Sequence, residues 1–253
     1  MPEQRTPQPS LEHLIETEDL GFEILHPGGI QTTRELAQLC GIARGATVLD
    51  VACGTGESAC FLSDTLGAEL VGLDAAESMI ERARHKAKRR DLPVRFLRGD
   101  ARRLPFHEGT FDAVISECTL SLLEKDRVLT EMARVAQRGG CVGIHEITWK
   151  ESAPVKLRER LVELEGERPE TLEGWRRLFE RCRLVEVKVF DRSELISRWM
   201  KDSRKQLGLR GRIGVSIRIL RRWGFEGLIR ILESERIFGS KHLGYSLVVG
   251  RKR

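Results

Sequence analysis

The sequence predicts an α/β fold built on a doubly wound, mainly parallel sheet. Short apolar runs alternate with helical patterns over the first 150 residues, and these runs lack a polar side. Such strands are usually covered by helices on both faces of a parallel sheet. A glycine turn at residues 52–56 joins the first run to a helix. A basic stretch, residues 191–242, separates the last two predicted strands.

The glycine turn is the element around which the other predicted elements are placed. Residues 48–51 form a strand that contains Asp50, Gly54 and Gly56 follow, and a helix is predicted over residues 57–64. Glycine adopts backbone angles that other residues avoid, and it lets a ligand lie against the main chain. Free amides at the helix start can donate hydrogen bonds. The turn therefore predicts a site for a nucleoside-bearing cofactor.

The remaining elements follow at regular intervals. Strands are predicted over residues 70–74, 94–97, 111–116, 141–145, 184–190 and 243–249. Helices are predicted over residues 32–39, 76–90, 126–136 and 171–181, and residues 191–242 are mostly helical. Ligands of such sheets bind beyond the carboxyl ends of the strands. Five strand-end residues should converge on one crevice, namely Asp50, Asp74, Asp100, Glu117 and His145.

A single folded domain is expected after a short tail. Residues 1–10 hold three prolines and no aliphatic run, which predicts a flexible tail. Residues 11–253 then form one domain. Its core is residues 45–190 with 243–251, its N-terminal cap is residues 11–44, and its helical insertion is residues 191–242.

Composition narrows the class of protein. Hydrophobic residues make up 40% of the chain, but no uninterrupted apolar run reaches the roughly 20 residues of a membrane span. A cytoplasmic protein is expected. Six cysteines without a CxxC pair or zinc-type spacing predict reduced thiols and no metal site. The absence of asparagine and the high charge favour a thermophilic source or a GC-rich genome.

Two acids indicate which cofactor the turn binds. Asp74 ends the second strand, where a carboxylate can accept both hydroxyls of a ribose. Asp50 lies just before the glycines, where it would repel a dinucleotide pyrophosphate but could hold a cationic amino-acid group. This pair favours S-adenosylmethionine over NAD.

Several motifs occur in order within residues 26–150: VLDVACGTGESA, LVGLDAAESMIERAR, RGDARRLPF, FDAVISECTLSLL and RVAQRGG. Together they resemble class I S-adenosylmethionine-dependent methyltransferases. They are most similar to the branch of ubiquinone/menaquinone C-methyltransferases and arsenite methyltransferases. The resemblance implies a Rossmann-like sheet of seven strands whose last strand is antiparallel. It also implies S-adenosylhomocysteine as the product.

The same resemblance implies a set of cofactor-binding residues: Asp50, Gly54, Gly56, Asp74, Ala75, Asp100, Ala101 and Glu117. The first three would line the methionine portion of the cofactor. Asp74 would bind the ribose, Asp100 and Ala101 would meet the adenine, and Glu117 would close the pocket.

Two residues are candidates for the chemistry on the acceptor. His145 ends the fifth strand, where an imidazole could take a proton from the acceptor or serve only as a hydrogen-bonded structural residue. Cys118 matches the position of a metalloid-binding cysteine in arsenite methyltransferases. Arsenic needs two or three thiolates, and matching partners are missing, so a wall of the acceptor pocket or simple packing are the alternatives.

The basic insertion admits three interpretations. Over residues 213–238 apolar residues recur near helical spacing, with arginines between them. This pattern fits a lid over the acceptor, a weak contact with a membrane surface, or a nucleic-acid face. The lid is favoured, and nucleic acid is disfavoured because aromatic residues among the arginines are sparse.

The sequence therefore predicts an S-adenosylmethionine-dependent methyltransferase with a small-molecule acceptor, either a thiol, a metalloid or a small carbon or oxygen nucleophile. A quinone or lipid-like acceptor is the alternative within the same class. A non-catalytic cofactor-binding module or an RNA-associated protein is the alternative outside it. The oligomeric state does not follow from the sequence.

Overall fold

The computed structural model describes residues 27–253, with the backbone alone for residues 196–212. The strands are β1 (Thr47–Val51), β2 (Glu69–Asp74), β3 (Arg95–Arg98), β4 (Phe111–Glu117), β5 (Ala136–Trp149), β6 (Glu170–Thr171), β7 (Leu184–Asp191) and β8 (Leu243–Lys252). The α-helices are α1 (Gly29–Cys40), α2 (Glu57–Leu66), α3 (Glu77–Arg89), α4 (Lys125–Val135), α5 (Val155–Glu165), α6 (Leu172–Arg181) and α7 (Glu194–Phe238). A short 3₁₀ helix covers Leu120–Leu122.

All eight strands belong to one sheet. Its order is β3-β2-β1-β4-β5-β8-β7, and the two-residue strand β6 pairs with the end of β5. Strands β1 to β5 pair in parallel, whereas β8 runs antiparallel to both β5 and β7. The predicted doubly wound sheet with an antiparallel last strand is confirmed. The structure has one strand more than the seven predicted. This additional strand, β6, is too short to leave a pattern in the sequence.

The sheet is buried on both faces. Successive side chains of a strand point to opposite faces, and β1 shows the result. Val48 packs with Leu36 and Leu62 on the face covered by α1, α2 and α3. Leu49 belongs to the cluster on the other face, with Leu129 and Trp175 from α4 and α6. This two-sided burial explains why the predicted strands lack a polar side.

Strand β5 is much longer than the predicted strand 141–145. It continues past His145 through Ile147 and Trp149, which are buried with part of α5 and the end of α7. This third cluster lies beyond the β4–β5 pairing, on the side of the sheet where the strands β1 to β5 end. Helix α5 was not predicted, because its sequence VKLRERLVELE presents charges all round and buries few apolar side chains.

The predicted N-terminal cap is described only from residue 27. Its helix α1 packs on β5 and β8. An ion pair between Glu35 and Arg192 joins α1 to the segment that leads into α7. The predicted tail and the rest of the cap, up to residue 26, lie outside the described residues. No helix in the described part of the chain has both the length and the apolar composition needed to cross a bilayer.

Candidate cofactor and acceptor crevice

The two glycines of the turn differ in the space beside their Cα atoms. Gly54 and Gly56 have φ angles of 50° and 73°, both left-handed. A Cβ atom added to Gly54 would meet nothing within 4 Å, whereas one added to Gly56 would lie 2.5 Å from the Phe96 ring. Gly54 therefore leaves room for a ligand against the backbone. Gly56 allows α2 to pack closely on the sheet.

Asp74 fixes the turn to the end of β2. Its carboxylate accepts hydrogen bonds from the Gly54 amide and the Ala76 amide, both at 2.9 Å. Ala75, between the strand end and α3, is exposed. Carboxylate oxygens have further lone pairs, so Asp74 can still accept hydrogen bonds from a ligand. Its position beside Gly54 suits the predicted ribose contact.

Asp50 is a buried acid. Its side chain is in the core of the sheet, and Oδ2 has no hydrogen-bond partner among the described residues. Burial raises the pKa of this carboxyl well above its ordinary value, and the charges of Glu117 and Asp74 raise it further. A cation bound here would relieve both effects, because it would neutralise the carboxylates and replace lost hydration.

Glu117 connects three elements at the end of β4. Its carboxylate accepts hydrogen bonds from Ser58 on α2 at 2.6 Å and from Thr33 on α1 at 3.0 Å. Neither hydroxyl was singled out in the sequence, because the contact depends on how α1 crosses the sheet. Glu117 thus holds the cap against the glycine turn.

Asp100 lies apart from the other three acids. It is exposed, and the guanidinium and backbone amide of Arg102 hold it, lowering the pKa of its carboxyl to about 2. The preceding loop is nevertheless tied to β2, since the Gly99 amide donates to the Asp74 carbonyl at 2.9 Å. Ala101 is buried in the core beside this loop. The predicted contact of these two residues with the adenine stays a prediction.

His145 lies next to Glu117 on the same face of the sheet. The two are register partners of β5 and β4, and the His145 Nδ1 atom is 4.0 Å from Glu117 Oε1. The imidazole is fully buried. Asp50 is on the same face of neighbouring β1. Three of the five residues expected to converge therefore lie on one face of the sheet, near the ends of neighbouring strands.

Cys118 and Tyr245 lie beside His145. These three side chains are called the acceptor wall below. The Cys118 Sγ atom is 3.8 Å from His145 Nδ1, and the Tyr245 ring centroid lies 5.1 Å from that of His145. Cys118 has a left-handed φ of 55°, and its amide donates to the His145 carbonyl at 2.7 Å. Burial raises the pKa of the Cys118 thiol well above its ordinary value, so the neutral thiol is favoured. Tyr245, the only tyrosine of the chain, was missed because β8 reads as an ordinary apolar strand.

Glu146 supports the same wall from the opposite face of β5. One carboxylate oxygen accepts the amides of Thr119 and Leu120, both at 2.6 Å. Complete burial raises the pKa of its carboxyl to about 7, against the opposing effect of these hydrogen bonds. Glu146 was not assigned a role from the sequence, although an acid inside an apolar strand is a detectable signal.

Comparison with known proteins shows what this chain is similar to. Residues 48–140 match a family model described as a methyltransferase domain. This part of the chain is similar to that family of methyltransferase domains. The matched span runs from β1 through the glycine turn to the start of β5, so it contains every predicted cofactor-binding residue.

Two relatives show how far the sequence similarity extends. The chain is 37% identical over 114 residues to a sterol 24-C-methyltransferase of Pneumocystis carinii, covering 44% of this chain and 30% of that protein. It is 45% identical over 95 residues to a demethylmenaquinone methyltransferase of Thermus thermophilus, covering 37% of this chain and 43% of that protein. The chain thus spans less than half of either relative.

The structural neighbour matches nearly the whole chain. A phosphoethanolamine N-methyltransferase 2 of Haemonchus contortus, solved in complex with S-adenosyl-L-methionine, superposes with a TM-score of 0.78 at 17% identity. The match covers 95% of this chain and 57% of the neighbour. The methyltransferase domain fold therefore extends beyond the span that the family model matches.

Proposed function

We propose that this protein transfers the methyl group of S-adenosylmethionine to a carbon or oxygen atom of a small acceptor bound against His145. One observation carries the proposal. Asp50, Asp74 and Glu117 surround the open glycine turn, and Asp50 is buried with a raised pKa. A crevice of this kind favours a cationic ligand and disfavours the pyrophosphate of a dinucleotide.

The residues present fit this cofactor. Asp50 and Glu117 would face its cationic portion, the backbone at Gly54 would lie against it, and Asp74 would accept from its ribose. Exposed Asp100 and buried Ala101 would border the adenine. When bound, the cofactor supplies an electrophilic methyl group on a sulfonium. The chain has to position the acceptor in line with that group and exclude water.

His145 is proposed as the base that takes a proton from the acceptor. It is buried between Glu117 and Cys118, and a neighbouring carboxylate stabilises the imidazolium that forms. Tyr245, beside the imidazole, would help to orient the acceptor. General-base catalysis of this kind suits a neutral oxygen or carbon acid, because such groups are poor nucleophiles until they lose a proton.

The environment of Cys118 argues against a metalloid acceptor. A trivalent metalloid needs two or three thiolates, whereas burial keeps the Cys118 thiol neutral. Among the described residues, no group of three or more His, Cys, Asp or Glu side chains is placed to hold a metal ion. Cys118 is better explained as part of the acceptor wall.

A lipid-like acceptor is the second candidate. It is favoured by the apolar residues that α7 exposes, including Phe225 and Ile229. The relatives named for sterol and demethylmenaquinone point the same way. A quinol offers both an oxygen and an acidic ring carbon, so this candidate uses the same proposed base.

The test is transfer of label from methyl-labelled S-adenosylmethionine to a panel of acceptors. The panel holds a small phenol, a quinol, a lipid extract, a small thiol, arsenite with thiol, and RNA. Transfer to the phenol, the quinol or a lipid, lost in His145→Asn, is expected. Transfer only to the thiol, arsenite or RNA would contradict the proposed acceptor class. Tight S-adenosylhomocysteine binding with no transfer would favour a non-catalytic binding module.

A further inference from the structure

Helix α7 bends about two thirds of the way along its length. Ile219 and Ile231 belong to one cluster of buried side chains, with Val215, Trp223 and Leu228 packed against it. Twelve residues of straight helix would separate the first two by about 18 Å. Gly224 provides the bend, since its φ of 67° is left-handed. Residues 213–223 and 225–232 therefore form two arms that pack against each other.

The second arm is attached to the body of the protein through α5. Arg160 on α5 forms an ion pair with Glu233, and the Arg230 guanidinium donates to the carbonyls of Glu163 and Leu164. These contacts hold the arm beyond the bend against α5. The bend therefore has a fixed place relative to the sheet.

The two arms expose large apolar side chains. Phe225, directly after the bend, is 72% exposed, and the others are Ile213, Ile217, Leu220, Ile229 and Leu232. The sequence pattern favoured a lid, in which these residues would be covered. Among the described residues of this span, Ile219 and Ile231 are buried against each other, and Ile237 and Phe238 are buried against the end of β5. The remaining apolar surface is unexplained by the fold.

Arginines accompany this apolar surface. Residues 213–232 carry four arginines and one glutamate, and Arg218, Arg221 and Arg222 are all exposed. Arg222 lies over the Trp223 ring at 4.9 Å, close to the bend. Aromatic and aliphatic side chains bordered by arginines are typical of helices that lie in the interface of an anionic bilayer.

We infer that the bend of α7, residues 213–232, docks on the surface of a membrane rich in anionic lipid. Phe225, Ile229 and Leu232 would enter the boundary between headgroups and acyl chains, while Arg218 and Arg221 would contact lipid phosphates. A second copy of the chain fits less well, because a two-fold contact would place the same arginines near one another. A polyanion such as RNA would use the arginines but would leave the apolar side chains in water.

The experiment is co-sedimentation of the full chain with vesicles of phosphatidylcholine alone or with about a third phosphatidylglycerol. Binding to the anionic vesicles is expected, and it should weaken as salt is raised. The double variant Phe225→Ser/Ile229→Ser should bind about tenfold more weakly. Its matched control is Val155→Ser, since Val155 on α5 is 68% exposed but lies away from the bend.

A charge variant keeps the inference testable if the apolar variant folds poorly. Arg221→Glu should weaken binding to anionic vesicles severalfold, whereas Arg177→Glu, the same charge change at an exposed position of α6, should not. Circular dichroism and S-adenosylhomocysteine affinity report whether each variant is folded, so the result is independent of methyl transfer. Failure of the wild-type chain to bind, or equal loss in variants and controls, would overturn the inference. Self-association abolished by Phe225→Ser/Ile229→Ser, without vesicle binding, would also overturn it.

Discussion

The crevice has two halves, one around Gly54 and one around His145. Backbone amides hold the Asp74 carboxylate in the first half. In the second half, side chains from three strands contact one another. Asp74 is bound by two amides, so its position follows from the path of the chain. His145 depends on Glu117, Cys118 and Tyr245, which come from β4, the segment after it, and β8. The first half thus follows local sequence, and the second depends on how distant segments pair.

This difference predicts that the two halves separate functionally. Substitution of His145 itself should affect turnover and spare cofactor affinity, and substitution of Asp74 should do the reverse. A single variant that lowered turnover and cofactor affinity equally would contradict this separation of the two halves.

The largest effect is expected for His145→Asn. If His145 is the base, turnover should fall about a hundredfold or more, because proton transfer by a positioned side chain contributes that much. S-adenosylhomocysteine affinity should stay within about threefold of wild type, measured by titration calorimetry. His85→Asn, at an exposed position of α3, is the matched control and should retain full turnover. Retained turnover in His145→Asn would leave the histidine a structural role only.

Asp74→Asn should chiefly weaken cofactor binding. Loss of charge-assisted hydrogen bonds to the ribose should cost about 1 to 3 kcal/mol, read as a rise in the dissociation constant. Asp100→Asn should have a smaller effect, because the Asp100 carboxylate is already held by Arg102. Equal effects of the two substitutions would mean that Asp100 shares the ribose or adenine contact more fully than its exposed position suggests.

Glu146 should make the stability of the acceptor half depend on pH. Its pKa rises from an ordinary 4.5 to about 7 on folding, so the protonated form stabilises the fold. That contribution is complete below about pH 4.5 and is lost as the pH rises through about 7. Urea unfolding across this range should show falling stability for wild type and a flatter profile for Glu146→Gln. Identical profiles would show that Glu146 does not titrate in this window.

The smallest effect is expected for Cys118→Ser. If Cys118 only lines the acceptor wall, a serine of similar size should keep turnover within about threefold. Loss of all turnover with arsenite as the acceptor, against full retention with a phenol, would instead assign the thiol to metalloid binding.

The sequence predicts those features of the structure that depend on residues close together along the chain. The order of strands and helices up to residue 150 follows from apolar runs and the glycine turn. The convergence of Asp50, Glu117 and His145 follows because parallel strands present their carboxyl ends on one side. The contacts of Asp74 also follow, since Gly54 is its neighbour across two adjacent strand ends.

The rest depends on tertiary arrangement. Thr33 and Ser58 meet Glu117 only because α1 crosses over α2, and Tyr245 reaches His145 through the antiparallel register of β8 with β5. The bend at Gly224 was hidden, because a glycine in a helical pattern does not by itself indicate a left-handed residue. The assigned cofactor-binding and catalytic roles stay predictions for the experiments above.

The most direct test of the central claim is thermal unfolding of wild type and Asp50→Asn at about pH 8, with and without S-adenosylmethionine. The buried Asp50 carboxyl has a raised pKa, so the stability of its protonated form is present at low pH and lost as the pH rises. Asparagine cannot ionise. Without cofactor the variant should therefore unfold at a higher temperature than wild type, whereas S-adenosylmethionine should stabilise wild type far more than the variant. A variant no more stable than wild type, and stabilised equally by the cofactor, would contradict an acidic crevice built for a cationic ligand.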